Sequence, residues 1–257
     1  MSRPERITWR EDHGRLAFRV QATPSPGGNR PAAVLVHGIG MSHRYLARLH
    51  DVLSEDRAVY SIDLPGFGGL PKPGVDVDVP TMAAALAEVV AGLEAGACIL
   101  VGHSMGAQWV VELAAQRPDL AALTVVIGPV SDAEHRSLPA QALALAVDTL
   151  GETPRINAIV FTDYLRCGVP WYLAQARHMV AYPIEDRVAE LAMPLLVVRG
   201  ENDPIAGTRW CRMLRDRAPA GSLAIIPGRH HVAQFSSPRA VAAAILAHAD
   251  AAVGAGR

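Results

Sequence analysis

Very little in this chain would take it outside the class of ordinary globular proteins. Of its 257 residues only three are cysteines, Cys98, Cys167 and Cys211. They lie far apart, are odd in number and lack the close spacing of metal ligands, so they read as buried free thiols in a reducing compartment. Charge of either sign is not in excess. The 24 basic and 25 acidic residues are spread along the chain and leave a formal net charge of -1, a balance that points to no polyanion, so neither nucleic acid nor an anionic membrane is expected as a partner. Nowhere do about eighteen apolar residues run together, and no transmembrane helix is expected. The opening Met1-Ser2-Arg3-Pro4-Glu5-Arg6 is charged and leads into no apolar stretch of signal-peptide length, so the expected location is cytoplasmic. Histidines and carboxylates do not converge on a ligand-spaced cluster, so no metal and no cofactor are expected.

What the chain does have is apolar residues, half of the total, enough to bury a substantial core at this length. Their rhythm is that of strands alternating with helices. Ile7 to Arg10 and Arg15 to Val20 alternate apolar and polar residues around Asp12-His13-Gly14, the pattern of an antiparallel hairpin at a sheet edge. Ala32-Ala33-Val34-Leu35-Val36, Ala58 to Ile62, Ala97 to Val101, Leu123 to Ile127, Leu195 to Val198 and Ser222 to Ile226 are short and nearly continuously apolar, as strands covered on both faces must be. Between them lie stretches of helical period: one capped by Ser42 with Tyr45, Leu46, Leu49, Val52 and Leu53 on a face, one from Pro80 or Thr81 to Leu93, and one from about Ala206 to Arg217. A final alanine-rich helix starts at Pro238. Strand, crossover helix, strand predicts a mostly parallel central sheet flanked by helices.

The rhythm breaks between residues 131 and 190. No continuous apolar strand occurs there, while Leu138 to Leu150, Pro154 to Arg166 and Trp171 to Val180 read as helical. The expectation is a helical lid over the carboxyl edge of the sheet, where open α/β folds hold their ligands. It gives a core of residues 1–130 and 191–257 and a cap of residues 131–190.

One stretch carries chemistry. Leu100-Val101-Gly102-His103-Ser104-Met105-Gly106 is an apolar run that breaks into Gly-x-Ser-x-Gly and opens straight into a helical pattern. With a strand before it and a helix after it, the motif predicts a sharp turn with Ser104 at the apex, its hydroxyl held at the positive end of the helix. The pattern resembles the α/β-hydrolase family over roughly residues 30 to 250. Five features stand in the family's order: His37-Gly38-Ile39-Gly40, Asp63-Leu64-Pro65-Gly66-Phe67-Gly68, the serine motif, Gly200-Glu201-Asn202-Asp203-Pro204, and Gly228-Arg229-His230-His231.

The resemblance implies an α/β-hydrolase fold with Ser104 as nucleophile, Asp203 as acid and His231 as base. His230 is the rival to His231, standing where the family usually has a glycine. Asp203 has a plain alternative as an Asx-turn or helix cap before Pro204, and Glu201 and Asp132 are the alternative acids. The oxyanion donors implied are the backbone N–H groups of Ile39 and Met105. His37 and His103 read as hydrogen-bonded imidazoles bracing the loops behind the serine, and Asp63 as structural. Where the family often has a serine after the second glycine of the Asp63 loop, this chain has Gly69. Arg199 and Arg229 could approach an acidic substrate, though a paired or solvent-facing arginine is the commoner fate. Phe161, Tyr164, Trp171, Tyr172 and Met179 could line the substrate pocket, and Trp109 reads as core.

These residues point to a serine hydrolase for a small to medium, largely apolar ester, lactone or thioester. A carbon-carbon bond hydrolase of a ring-cleavage product is the alternative, with Arg166 and Arg177 the obvious lid donors for its anionic substrate. A non-catalytic binding protein on the same scaffold is the alternative from another class.

Overall fold

The computed structural model of the protein describes residues 5–28, 30–132 and 154–255. Eight strands form one sheet: β1 (Ile7–His13), β2 (Leu16–Thr23), β3 (Ala33–Val36), β4 (Val59–Asp63), β5 (Cys98–His103), β6 (Ala121–Ile127), β7 (Leu195–Gly200) and β8 (Gly221–Ile226). Their order across the sheet is β1-β2-β4-β3-β5-β6-β7-β8. The first two pairings, β1 with β2 and β2 with β4, are antiparallel. From β4 onward every pairing is parallel. The hairpin runs further than its alternation suggests, since β1 continues through His13 and turns at Gly14, whose φ of 61° suits a residue without a Cβ.

The continuous apolar strands are explained by two apolar layers. Val34, Val36, Leu100, Leu195 and Val197 face one layer, while Ala33, Leu35, Ile99, Val101, Leu196 and Val198 face the other. Successive side chains of a strand point to opposite faces, so a strand covered on both faces must be apolar at every position. Helices α2 (Val79–Gly92) and α3 (Gly106–Gln116) fill the first layer, with Met82, Leu86, Val89, Val90, Trp109 and Leu113 buried. Helix α1 (Ala47–Leu53) supplies the second layer, with Leu49 and Leu53. Asp78 caps α2, accepting the Thr81 N–H at 2.9 Å. The segment after Ser42 departs from the expected single helix: it is a 3-10 turn, His43–Tyr45, before α1 begins at Ala47.

Between β6 and β7 the chain leaves the sheet for α4 (Pro154–Cys167), α5 (Val169–Ala181) and the short α6 (Ile184–Arg187). Gly168, at φ 74°, breaks the first two apart. The helix expected over Leu138 to Leu150 lies outside the described residues. Polar contacts seat this lid on the core. On α4, the buried Asp163 accepts from Ser42 Oγ at 2.6 Å and from Arg44 Nη1 at 2.9 Å. At the other end, Gln108 Nε2 and Ser131 Oγ both donate to the Met179 carbonyl, and Tyr182 and Arg187 donate to Glu112 of α3. The chain closes with α7 (Thr208–Arg217), a four-residue α8 (Ala233–Ser236) and α9 (Pro238–Ala255). Among the described residues no helix is long and apolar enough to cross a membrane.

Candidate active site

The carboxyl ends of β4, β3, β5, β6, β7 and β8 lie along one edge of the sheet, and all but β6 feed one of the five motifs singled out in the sequence. Ser104 sits at the end of β5 with φ 58°, a left-handed conformation that costs a residue with a side chain about 1–2 kcal/mol. What holds it there is the close approach of three backbones. A Cβ on Gly106 would stand 2.5 Å from the Val36 carbonyl oxygen and 2.6 Å from that of His37. One on Gly102 would overlap the Gly106 carbonyl. Both glycines of the motif are therefore demanded by packing. The Ser104 N–H donates to the Ile127 carbonyl, tying the turn to β6.

Across the edge, His231 Nδ1 lies 3.0 Å from Asp203 Oδ2, with both side chains buried. The other oxygen of the same carboxylate accepts the Ile205 and Ala206 N–H groups at 2.8 and 3.0 Å. Asp203 is thus both an Asx-turn and a partner to the imidazole, one oxygen for each. Burial pushes its carboxyl up, but the charge and hydrogen bond of His231 together with the Ala206 and Ile205 N–H groups outweigh it and leave the group below the ordinary carboxylate range. Arg199 is buried behind this turn and donates to the Ala206 and Asp203 carbonyls at 2.7 and 3.1 Å. It is a brace for the turn rather than a substrate contact. Glu201 faces the other way and accepts the Gly228 N–H at 2.8 Å. His230 is half-buried, and its carbonyl crowds Gly200. Gly128, after β6, has no side chain because a Cβ there would stand 2.9 Å from the His231 ring.

The loop after β3 lies against the serine: a Cβ on Gly38 would be 2.8 Å from Ser104 Cβ. Neither the Ile39 N–H nor the Met105 N–H donates to a backbone or side-chain acceptor among the described residues. His37 accepts the Leu64 N–H on Nε2 at 3.0 Å and meets the Gly38 carbonyl through Nδ1 at 2.8 Å. It is fully buried, which lowers its pKa. His103 bonds the Tyr45 hydroxyl at 2.7 Å and the His231 carbonyl at 3.0 Å, and burial, with the neighbouring His231, brings its pKa to about 3. Asp63 accepts from the His43 N–H, the His43 ring and Arg19, pinning the segment beyond Gly40. Tyr45 is the residue that sequence reasoning missed as part of this region. Its place on an apolar helical face gave no sign that its hydroxyl would turn back to the Gly38 N–H at 2.6 Å.

Of the lid aromatics, Trp171 and Tyr164 rest on loops of the core. A methyl on Gly66 would overlap the Trp171 indole, and one on Gly40 would overlap the Tyr164 ring. Trp171 also lies 6.1 Å from Phe67, and Tyr172 is 5.3 Å from Tyr164, measured between ring centres. Met179 is buried in the first apolar layer, as is Trp109. Phe161 is the correction. It is 65% exposed, because α4 turns Ile156, Asp163 and Cys167 inward and leaves Phe161 on the opposite face, so among the described residues it faces solvent rather than the core loops. Arg166 and Arg177 are exposed as well.

Residues 33–244 match the model of the alpha/beta hydrolase family. The biotin biosynthesis bifunctional protein BioHC of Cellvibrio japonicus is 29% identical over 84% of this chain, which spans only 47% of that protein. Esterase YbfF of Escherichia coli is 27% identical over 90% of this chain and 97% of its own. Among solved structures, a membrane phospholipase A superposes with a TM-score of 0.81 at 19% identity, covering 96% of this chain and 86% of that one. That last likeness is one of fold.

Proposed function

The chain belongs to the alpha/beta hydrolase family, and from that premise we propose that it is a serine hydrolase cleaving a small to medium apolar carboxylic ester, lactone or thioester through an acyl-enzyme. The observation that carries the reading is the buried Asp203–His231 pair, set beside a serine held at positive φ. A serine hydroxyl is a poor nucleophile at neutral pH until a neutral imidazole takes its proton. Asp203 occupies Nδ1 and so leaves the proton chemistry to Nε2.

In this scheme Ser104 Oγ attacks the carbonyl carbon while His231 Nε2 accepts the hydroxyl proton. The Ile39 and Met105 N–H groups receive the oxyanion. The tetrahedral species then collapses, the alcohol or thiol leaves with the proton from His231, and water repeats the sequence to release the acid. Residues 131–190 act as the cap, with Tyr164 and Trp171 above the loops that hold the site. An esterase named among the relatives, similar over nearly its whole length, supports this substrate class.

A fluorophosphonate probe tests the assignment. Labelling is expected in the wild type and in His230→Ala, and lost in Ser104→Ala and His231→Ala. Loss in His230→Ala alone would overturn the choice of base. The exposed positions of Arg166 and Arg177 give no support to an anionic dienoate, so turnover of a simple aryl ester is expected to exceed that of a vinylogous diketone.

A further inference from the structure

Ser104, the Ile39 loop and the His231 loop come from three separate parts of the chain, and the scheme needs them in register. The buried atoms between them form one continuous hydrogen-bonded line. The Gly38 N–H meets the Tyr45 hydroxyl at 2.6 Å, that hydroxyl meets His103 Nδ1 at 2.7 Å, and His103 Nε2 meets the His231 carbonyl at 3.0 Å. Both ends of the line have a fixed sense: a backbone N–H only donates and a carbonyl only accepts. Tyr45 must therefore accept from Gly38 and donate to Nδ1, and His103 must donate from Nε2 as the neutral tautomer. Every bond then points the same way, so that each polarises the next.

We propose that His103 is a positioning residue, oriented by Tyr45, that holds the backbone of His231 and thereby the imidazole in line with both Asp203 and Ser104. The proposal rests on the serine-hydrolase reading. Its geometry is compact. His103 immediately precedes the serine, its ring lies 4.7 Å from that of His231 between centres, and it meets Tyr45 edge-on at 5.2 Å. Tyr45 and His103 are each 2% exposed, so water does not compete for these bonds. Gly38, at the far end, abuts the serine itself and precedes the proposed oxyanion donor Ile39. One line of bonds thus spans the oxyanion loop, the nucleophile turn and the base. Burial keeps His103 neutral down to about pH 3, so the donor sense of Nε2 persists across any working pH.

The two ring nitrogens can be tested apart. In His103→Gln the side-chain amide can reach the Nε2 position and still donate to the His231 carbonyl. In His103→Asn the shorter amide serves only the Tyr45 side, and His103→Leu serves neither. Steady-state kinetics on an aryl ester are expected to show kcat down by roughly 10–100-fold in the Asn and Leu variants with KM within about two-fold, and kcat in the Gln variant within about three-fold of wild type. The acid limb of kcat/KM in the Asn variant is expected roughly half a unit lower, because an imidazole less firmly held against Asp203 loses part of the carboxylate's pull. Should the Leu variant fail to fold, Tyr45→Phe keeps the ring and removes only the hydroxyl; a fall in kcat of roughly three- to ten-fold is expected there. Equal losses in the Gln and Leu variants, a loss confined to KM, or an unchanged kcat in His103→Asn or Tyr45→Phe would overturn the proposal. Ser104→Ala and His231→Ala separate it from its premise. If both abolish turnover while His103→Asn keeps kcat, the positioning role alone fails. If His231→Ala keeps turnover, His231 is not the base and the positioning role falls with that assignment, whereas turnover kept in Ser104→Ala would bring down the serine-hydrolase reading itself.

Discussion

The floor of the site and the lid above it are built in opposite ways. The floor is held by backbone: two glycines allow three chain segments to meet within contact distance, and buried imidazoles and a carboxylate bond to main-chain N–H and C=O groups. The lid is held by a few side chains, Asp163 on α4, Gln175 and the partners of the Met179 carbonyl on α5, Tyr182 just beyond it and Arg187 on α6, and by rings laid on glycines. Among the described residues, four of the seven large apolar side chains exposed to solvent, Phe161, Leu165, Val169 and Leu173, belong to α4 and α5. Main-chain bonds and close backbone contacts fix atoms to a few tenths of an ångström, whereas rings on glycine faces can slide. On the proposed function, the floor is the place for bond making and the lid chooses what reaches it.

The hardest test of this division is Asp203→Asn. The amide keeps the shape of the turn and its carbonyl oxygen can still accept the Ile205 and Ala206 N–H groups. The amide NH2 then faces His231 Nδ1 and can only donate, so the neutral imidazole is held with its proton on Nε2, the wrong tautomer to accept from Ser104, and it loses the charge that stabilises its protonated form. A fall in kcat of about 10^4-fold with little change in KM is expected, read from aryl ester hydrolysis. A loss that appears in KM instead would mean that the carboxylate serves binding, and the contrast between floor and lid would collapse.

Acid should attack the same floor. His37, His50 and His103 are buried, and removal from water lowers the pKa of each, to about 3 for His50 and His103. Unfolded, they would bind protons below about pH 6.5. The unfolded chain then carries more protons than the folded one, so stability rises with pH in this window and is lost as pH falls from about 6.5 towards 3, by up to about 1.4 kcal/mol per unit for each histidine. Asp63 and Asp203 act lower down, since their depressed carboxyl pKa values matter only below the ordinary range near 4. The described lid helices carry a single histidine, His178, partly exposed beside Asp76. His50 lies away from the serine, bonded to Thr23 and Ser61, and His50→Gln separates stability from catalysis. Urea unfolding at pH 7, 6 and 5 is expected to show a shallower decline in that variant, by up to one proton; an unchanged slope would contradict the burial argument.

The two regions also differ in how much of them the sequence discloses. The mostly parallel sheet, the two-faced strands and the turn at Ser104 follow from local rules, because a glycine forced by backbone contact and an apolar residue at every strand position leave marks where they occur. The partner of the carboxylate did not follow. Whether His230 or His231 turns inward depends on Gly128 and Gly200, which are distant in the chain. Tyr45 was hidden for the same reason. In the lid, helical period marks α4 and α5 but not which face is buried: the inward stripe of α4 contains Asp163, and Phe161 lies outside it. That acid is tolerated in a buried stripe only because Ser42 and Arg44 meet it, and no local signal announces partners more than a hundred residues away.

The mildest and most discriminating prediction concerns the seat of the lid. Gly66, at φ 81°, lies under the Trp171 indole, and Gly66→Ala adds a methyl that overlaps the ring. The backbone penalty is about 1 kcal/mol, and the indole must move or tilt. Gly66 bonds to no part of the serine, carboxylate or imidazole. If the lid selects and the floor reacts, KM for a bulky acyl ester should change about three- to ten-fold while kcat for a small acetate ester stays within about two-fold. Trp171→Phe in the same background gives up part of the ring that collides and should return KM towards wild type. A matching fall in kcat for both esters would show that moving the indole disturbs the turn around Ser104, and that the lid is part of the reacting framework after all.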